Sequence, residues 1–272
     1  MTNYIFDNAA EREAAERFSS LAALHDPDSI RHLSGTGVGP GWQCLEIGGG
    51  GGSIGRWLAD RVGPQGNVLV TDIDPRFLTR SDRANLEVRR HDVTTDPLPE
   101  SAYDLIHARL VLIHVPQRDA SLNRLVRALK PGGWLVVEDY DSVVIDRAFP
   151  TGHENAATLR KCVSALRSLM ESRGLDMTWG GSLYRRFVTA GLVEVGVEGR
   201  IDLRSGGSSG SRLDKANFSQ VRDEAVRKEL VRKRGSMDNS LMGATPVTVE
   251  TELSVCGGWR KVWAPAGVRQ FE

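Results

Sequence analysis

Between Trp42 and Tyr140 the chain alternates short apolar runs with helical segments, and this alternation constrains the fold most. The apolar runs are "WQCLEIG", "NVLVTDI", "LEVRRHDV", "YDLIHARLVLIHV" and "WLVVEDY". Between them lie helical segments such as "SIGRWLADRV", with Ile54, Trp57, Leu58 and Val62 on one face, and "RDASLNRLVRALK", which "PGG" stops. "DPRFLTRSDRA" reads as a shorter helix. Apolar strands between helices fit a parallel sheet covered on both faces. The pattern predicts an α/β protein, Rossmann-like, with a doubly wound, mostly parallel seven-stranded sheet.

The flanks complete this organisation. Residues 1–40 are rich in Ala, Glu, Arg and Leu, and predict an N-terminal helical cap. A second short helix is expected to begin near Asp26 or Asp28. Residues 41–203 form the main domain, with an insertion over 142–178. Within it, "ENAATLRKCVSALRSLMESRG" is an amphipathic helix that serves either as a lid over the ligand crevice or as an ordinary packing helix. "SLYRRFVTAGL" is a further helix and "VEVGVEGRIDL" a sixth strand. Residues 204–272 hold a Gly/Ser linker, a charged helix and a last strand, "TPVTVETELSV". There Val247, Val249, Thr251, Leu253 and Val255 share one face, and Gly257 and Gly258 are expected to turn the chain back.

In such a sheet the ligand sits beyond the carboxyl ends of the strands. The first strand runs into "LEIGGGGGSIG", which satisfies two fingerprints. Gly50, Gly52 and Gly55 spell the dinucleotide pattern G-x-G-x-x-G, whereas Glu46, Gly48, Gly50 and Gly52 spell E-x-G-x-G-x-G. Asp72, at the end of the second strand, is placed to accept from ribose hydroxyls in either case. Glu46 separates the two, because a carboxylate is repelled by a pyrophosphate but suits a cationic cofactor. Asp92, after the third strand, adds an acceptor for an adenine amino group. No tyrosine is followed four residues later by Lys, as the common short-chain dehydrogenase pair requires.

Four stretches, "CLEIGGGGGSIGRWLADRVGPQGNVLVTDIDPRFL", "HDVTTDPLP", "YDLIHARLVLIHVP" and "LKPGGWLVVEDYD", resemble the successive motifs of class I S-adenosylmethionine-dependent methyltransferases. The likeness is to bacterial small-molecule members of the ubiquinone/menaquinone-type branch. It implies S-adenosyl-L-methionine as cofactor, with Glu46, Gly48, Gly50 and Gly52 around the methionine moiety. It further implies Asp72 and Ile73 at the ribose, Asp92 and Val93 at the adenine, and Ala108 and Arg109 beside the methionine part. Arg109 has a second reading, an ion pair with a neighbouring acid. Gly49 and Gly51 depart from the larger residues usual at these positions. Gly55 reads as a helix-packing glycine.

The resemblance implies methyl transfer to a small-molecule acceptor, with oxygen the expected acceptor atom. Aligning the reactants and excluding water supplies much of such catalysis. A base is needed only where the acceptor must lose a proton. The candidates are His114, Asp139 and Asp141, with Tyr140 between the two acids at the mouth beyond strand five. His107 lies within the strand pattern and reads as a satisfied core histidine. Two alternatives stand beside this function: a nicotinamide-dependent oxidoreductase, and a cofactor-binding relative without catalysis.

Composition narrows the partners. Thirty-five basic residues balance thirty-five acidic ones, so neither nucleic acid nor an anionic membrane is the expected partner. Cys44, Cys162 and Cys256 have no metal-ligand or disulfide spacing, no His/Cys cluster points to a metal, and a reducing, cytoplasmic setting is expected. No signal peptide or membrane span is read from the sequence. A homodimer is left open.

Overall fold

The structure, a computed structural model, describes residues 11–78, 83–141, 156–205, 207–230 and 253–265. Its strands are β1 (Gln43–Ile47), β2 (Asn67–Asp72), β3 (Leu86–Arg90), β4 (Tyr103–Arg109), β5 (Leu129–Asp141), β6 (Gly196–Ser205) and β7 (Leu253–Pro265). Its helices are α1 (Glu11–Gly35), α2 (Ser53–Val62), α3 (Arg118–Ala128), α4 (Ala156–Ser172), α5 (Trp179–Thr189) and α6 (Ser209–Arg227). The sheet order is β3-β2-β1-β4-β5-β7-β6. Strands β1 to β5 pair in parallel, and β7 runs antiparallel between β5 and β6. This mixed α/β architecture, a mostly parallel sheet flanked by helices, agrees with the alternation in the sequence. The order reverses beside β1, whose carboxyl end opens into the crevice expected at such a switch point.

Strand alternation divides the core into two layers. Leu45, Ile47, Ile106, Leu135 and Val137 face a layer completed by α3, α4, α5 and α6, with Trp179 and Phe187 fully buried. Cys44, Val68, Val70, Leu105 and Val136 face the other layer, which holds Ile54, Leu58 and Val62 of α2 and Leu33 of α1. On that second face, towards the carboxyl ends of the strands, the apolar series gives way to Glu46, His107 and Glu138. All three are buried.

Three local expectations are corrected. The N-terminal segment is one helix that runs through Pro27, not two. A proline inside a helix costs roughly 3 kcal/mol. Contacts on both sides of it outweigh that cost: Leu33 is fully buried beyond Pro27, and Phe18 packs over the glycine loop before it. Among the described residues after β2 the expected short helix is a 3₁₀ turn, Pro75–Phe77, with Pro75 at its start and the Asp74 carboxylate capping the Arg76 N–H at 3.3 Å. Residues 79–82 lie outside the described residues. The last strand is described over Leu253–Pro265, and its expected start at Val247, with Val249 and Thr251, lies outside the described residues. Gly257 and Gly258 do not turn the chain. Arg200 pairs with Trp259 and Asp202 with Cys256, so the two glycines stand opposite one residue of β6 as a β-bulge.

Candidate active site

The loop after β1 takes the shape that its glycines allow. Gly48, Gly50 and Gly52 have φ of 68°, 52° and 76°, left-handed values that residues with a Cβ rarely adopt. These are the glycines of the E-x-G-x-G-x-G register. A Cβ on Gly48 would overlap Val111 Cγ2, and one on Gly50 would lie 3.0 Å from the Phe18 ring. Gly55 belongs to a different surface. It is buried in α2, and its Cβ would overlap Val70 Cγ2, so it brings helix and strand together.

Around this loop lies a cavity of about 1110 Å³. Small-molecule sites commonly enclose about 300–1000 Å³, so the space suits a cofactor with a second molecule beside it. Glu46, Gly48, Gly50, Asp72, Ile73, Asp92, Val93, Arg109 and His114 all line it. Gly52 and Ala108 do not. Gly52 caps α2 and faces Arg56 and Leu78, while Ala108 points into the core.

Asp72 holds the loop. Its Oδ2 accepts from the Gly50 N–H at 3.0 Å and its Oδ1 from the Asp74 N–H at 3.0 Å. Burial raises its pKa, and these two N–H groups act against that rise. Asp92 forms a turn in which Oδ1 accepts from the Thr94 N–H at 2.8 Å and Thr94 Oγ1 at 2.6 Å. Beside it, His91 is buried against the cavity, and neither ring nitrogen has a hydrogen-bond partner among the described residues.

Glu46 is 4% exposed, and its Oε2 lies 2.6 Å from His107 Nδ1. The other face of the His107 ring places Nε2 3.9 Å from Glu138 Oε1, an ionic contact too long for a hydrogen bond. Burial alone would lower the His107 pKa. The Glu46 and Glu138 carboxylates outweigh burial and raise it to about 9, so the ring is an imidazolium at neutral pH. Glu138 Oε2 accepts from Ser29 Oγ at 2.7 Å. Arg109 Nη1 donates to Ser29 Oγ and Asp26 Oδ1, both at 2.9 Å. Of its two readings, Arg109 therefore shows the ion pair with a neighbouring acid, though it also borders the cavity.

The three base candidates are separated. His114 ends a 3₁₀ turn over Leu112–His114 and lines the cavity. Burial, with Arg17 and Arg118 nearby, lowers its pKa to about 4, so it is neutral at pH 7. Asp139 and Asp141 do not stand at the mouth. The first turn of α5 covers them: a Cβ on Gly180 would meet the Asp139 carbonyl oxygen at 2.7 Å, and one on Gly181 would meet Asp141 Oδ2 at 2.8 Å. Burial holds the Asp139 pKa well above the usual carboxylate range. The Ile113 backbone and Trp179 indole favour its charged form, without reaching hydrogen-bond geometry. Only Tyr140 of this trio borders the cavity.

The sequence left several lining residues unnoticed. Ala14, Arg17, Phe18 and Leu21 of α1 form one wall. Phe18 packs against Phe77 with ring centroids 5.4 Å apart, and Arg17 stacks on Phe18. Met170, Leu175 and Met177 come from α4 and the loop after it, Leu213 and Asn217 from α6. Nothing in their local sequence marks them, because their role depends on helices meeting across the sheet.

Comparison with known proteins agrees with this geometry. A family model for the methyltransferase domain matches residues 45–135. A ubiquinone/menaquinone biosynthesis C-methyltransferase of Chromobacterium violaceum is 31% identical over 164 residues, covering 52% of this chain and 67% of the relative. The chain belongs to the class I S-adenosylmethionine-dependent methyltransferases. The corresponding protein of Laribacter hongkongensis is 36% identical over 117 residues, 41% of this chain and 48% of the relative. The match thus spans about half the length of that relative. The structure of the YcgJ protein from Bacillus subtilis shares the fold, with a TM-score of 0.59 at 12% identity, covering 90% of this chain and 100% of that one.

The residues present fit the family's cofactor. A left-handed glycine cradle excludes side chains from the loop, a carboxylate ends β2, and the buried Glu46 and His91 line the cavity. Among the described residues no helix is long and apolar enough to cross a membrane.

Proposed function

We propose that this chain transfers a methyl group from S-adenosylmethionine to a small-molecule acceptor, on oxygen. The glycine loop carries the reading: the three left-handed glycines are those of the E-x-G-x-G-x-G register, with Glu46 before them and Asp72 pinning Gly50. Glu46 and Arg109 would take the ammonium and carboxylate of the methionine end. Asp72 and Ile73 would take the ribose, and Asp92, Val93 and His91 the adenine. When bound, the cofactor supplies a methyl group activated on a sulfonium.

The chain's own residues orient, exclude water and manage a proton. Phe18 closes the loop from above. Val111, Ile113, Met170, Leu175 and Met177 give the acceptor side apolar walls, the last three from α4 and the loop after it; residues 142–155 of the expected lid lie outside the described residues. A neutral His114 is in the right state to receive the acceptor's proton as the oxygen gains its methyl group. Asp139 and Asp141, covered by α5, act in support of the fold rather than on the acceptor.

A carbon acceptor is the second reading, favoured because both relatives above are C-methyltransferases by name. Calorimetric titration with S-adenosylmethionine, S-adenosylhomocysteine and NAD(H) tests the class. Binding of the first two without NAD(H) is expected, and the reverse pattern would overturn the reading. A labelled-methyl screen with product analysis then separates O-methylation from C-methylation.

A further inference from the structure

We propose that His107 is a positioning residue for the cofactor, holding the Glu46 carboxylate turned to the cavity for the ammonium of the methionine end. The proposal rests on the cofactor reading above. It starts from a side chain that the mechanism does not otherwise use. His107 is fully buried in the middle of the sheet. Strand register places Glu46 beside it on β1, and alternation brings Glu138 of β5 to the same face.

Two buried carboxylates that flank one ring need a cation between them, because an unpaired charge in a dry interior is costly. His107 supplies that cation to both. The groups facing this cluster include Asp26, Ser29 and Arg31 of α1 and Arg109 of β4. Within it Asp26, Glu46 and Glu138 are set against His107 and Arg109, while Arg31 also donates to Glu198. Of these, only Glu46 and Arg109 line the cavity. Glu46 Oε2 is held by His107, and Oε1 has no hydrogen-bond partner among the described residues. The cluster therefore offers a cavity-facing anion beside a cavity-facing cation, which matches a zwitterionic amino-acid group and no other part of the cofactor.

The role predicts a selective defect. S-Adenosylhomocysteine carries the amino-acid end, and 5′-methylthioadenosine lacks it. In His107→Gln and His107→Leu, Glu46 has lost its counter-ion and the 2.6 Å contact that orients it. At pH 6.5 these variants should bind S-adenosylhomocysteine about tenfold or more weakly, the usual scale for removing one partner of a buried charge pair. Affinity for 5′-methylthioadenosine should not change. Glu46→Gln should show the same selective loss.

A nitrogen-detected NMR titration of the unsubstituted protein needs no variant to fold. It should report a cationic His107 ring at pH 7 that shifts with S-adenosylhomocysteine and not with 5′-methylthioadenosine. Equal losses for both ligands, no loss, or a neutral ring would overturn the role of His107. If the unsubstituted protein bound neither ligand, the cofactor reading would fall first and this proposal with it.

Discussion

Asp72 and Gly55 do different work within one loop and helix, and substitution separates them. Asp72 accepts the N–H groups of Gly50 and Asp74, and so fixes the loop before any ligand arrives. Asp72→Ala should weaken cofactor binding by about 1.5–3 kcal/mol, the usual worth of hydrogen bonds to a charged group. Unchanged affinity by calorimetry would count against the ribose assignment. Gly55→Ala should instead lower stability by about 1–3 kcal/mol, because the new Cβ overlaps Val70. Chemical denaturation reads this directly. At this scale the glycine register was legible, since Glu46 before the run and Asp92 after it favour a cationic, adenine-bearing ligand. The pairing of Arg109 was not. Its partner Asp26 lies 83 residues away, on a helix whose docking no local pattern reveals.

Among the elements, α1 departs furthest from its sequence. Pro27 invites a break, yet the helix continues because each half has a binding surface of its own. Beyond the proline, Ser29 bonds Glu138 and Leu33 fills the core. Before it, Phe18 covers Gly50 and Gly51. Phe18→Ala should leave the strands and core intact and speed cofactor release, with about 1–2 kcal/mol of binding lost as the aromatic contact disappears. Stopped-flow displacement of S-adenosylhomocysteine measures the release rate, and an unaltered rate would remove α1 from the site. Strands β1, β2, β4 and β5 were legible because both faces are largely buried and each reads as an apolar run, whereas the edge strand β3 is half exposed and was legible from its place in the alternation. Strand β7 was not, because a Gly-Gly pair reads equally as a turn or as a bulge, and only the register with β6 decides. The covering of Asp139 likewise depends on α5, whose two glycines at its start permit the close approach.

The whole molecule should show its buried charges in how stability varies with pH. His107 has a folded pKa of about 9, raised from an ordinary 6.5. Its stabilising contribution is complete below pH 6.5 and is lost as pH rises through 9, where the folded ring finally gives up the proton. His114 works in the opposite sense. Its folded pKa of about 4 lies below the ordinary value, so stability falls as pH drops from 6.5 towards 4 and the unfolded chain takes up a proton that the folded one refuses. Asp139 opposes His114 across that acid range, since its raised pKa makes the folded state hold a proton that the unfolded state releases above about pH 4. These positions follow from three helices and a turn closing over the sheet, which is why the sequence gives the residues but not their titration. Three variants separate the contributions in thermal unfolding from pH 4 to 10. Asp139→Asn should gain stability relative to the unsubstituted protein as pH rises from 4 to 7, with little difference at the acid end. His114→Gln should flatten the loss between pH 6.5 and 4. His107→Gln should lie below the unsubstituted protein at pH 6.5 and approach it as pH passes 9, and parallel curves over that interval would mean that His107 is not held as an imidazolium in the fold.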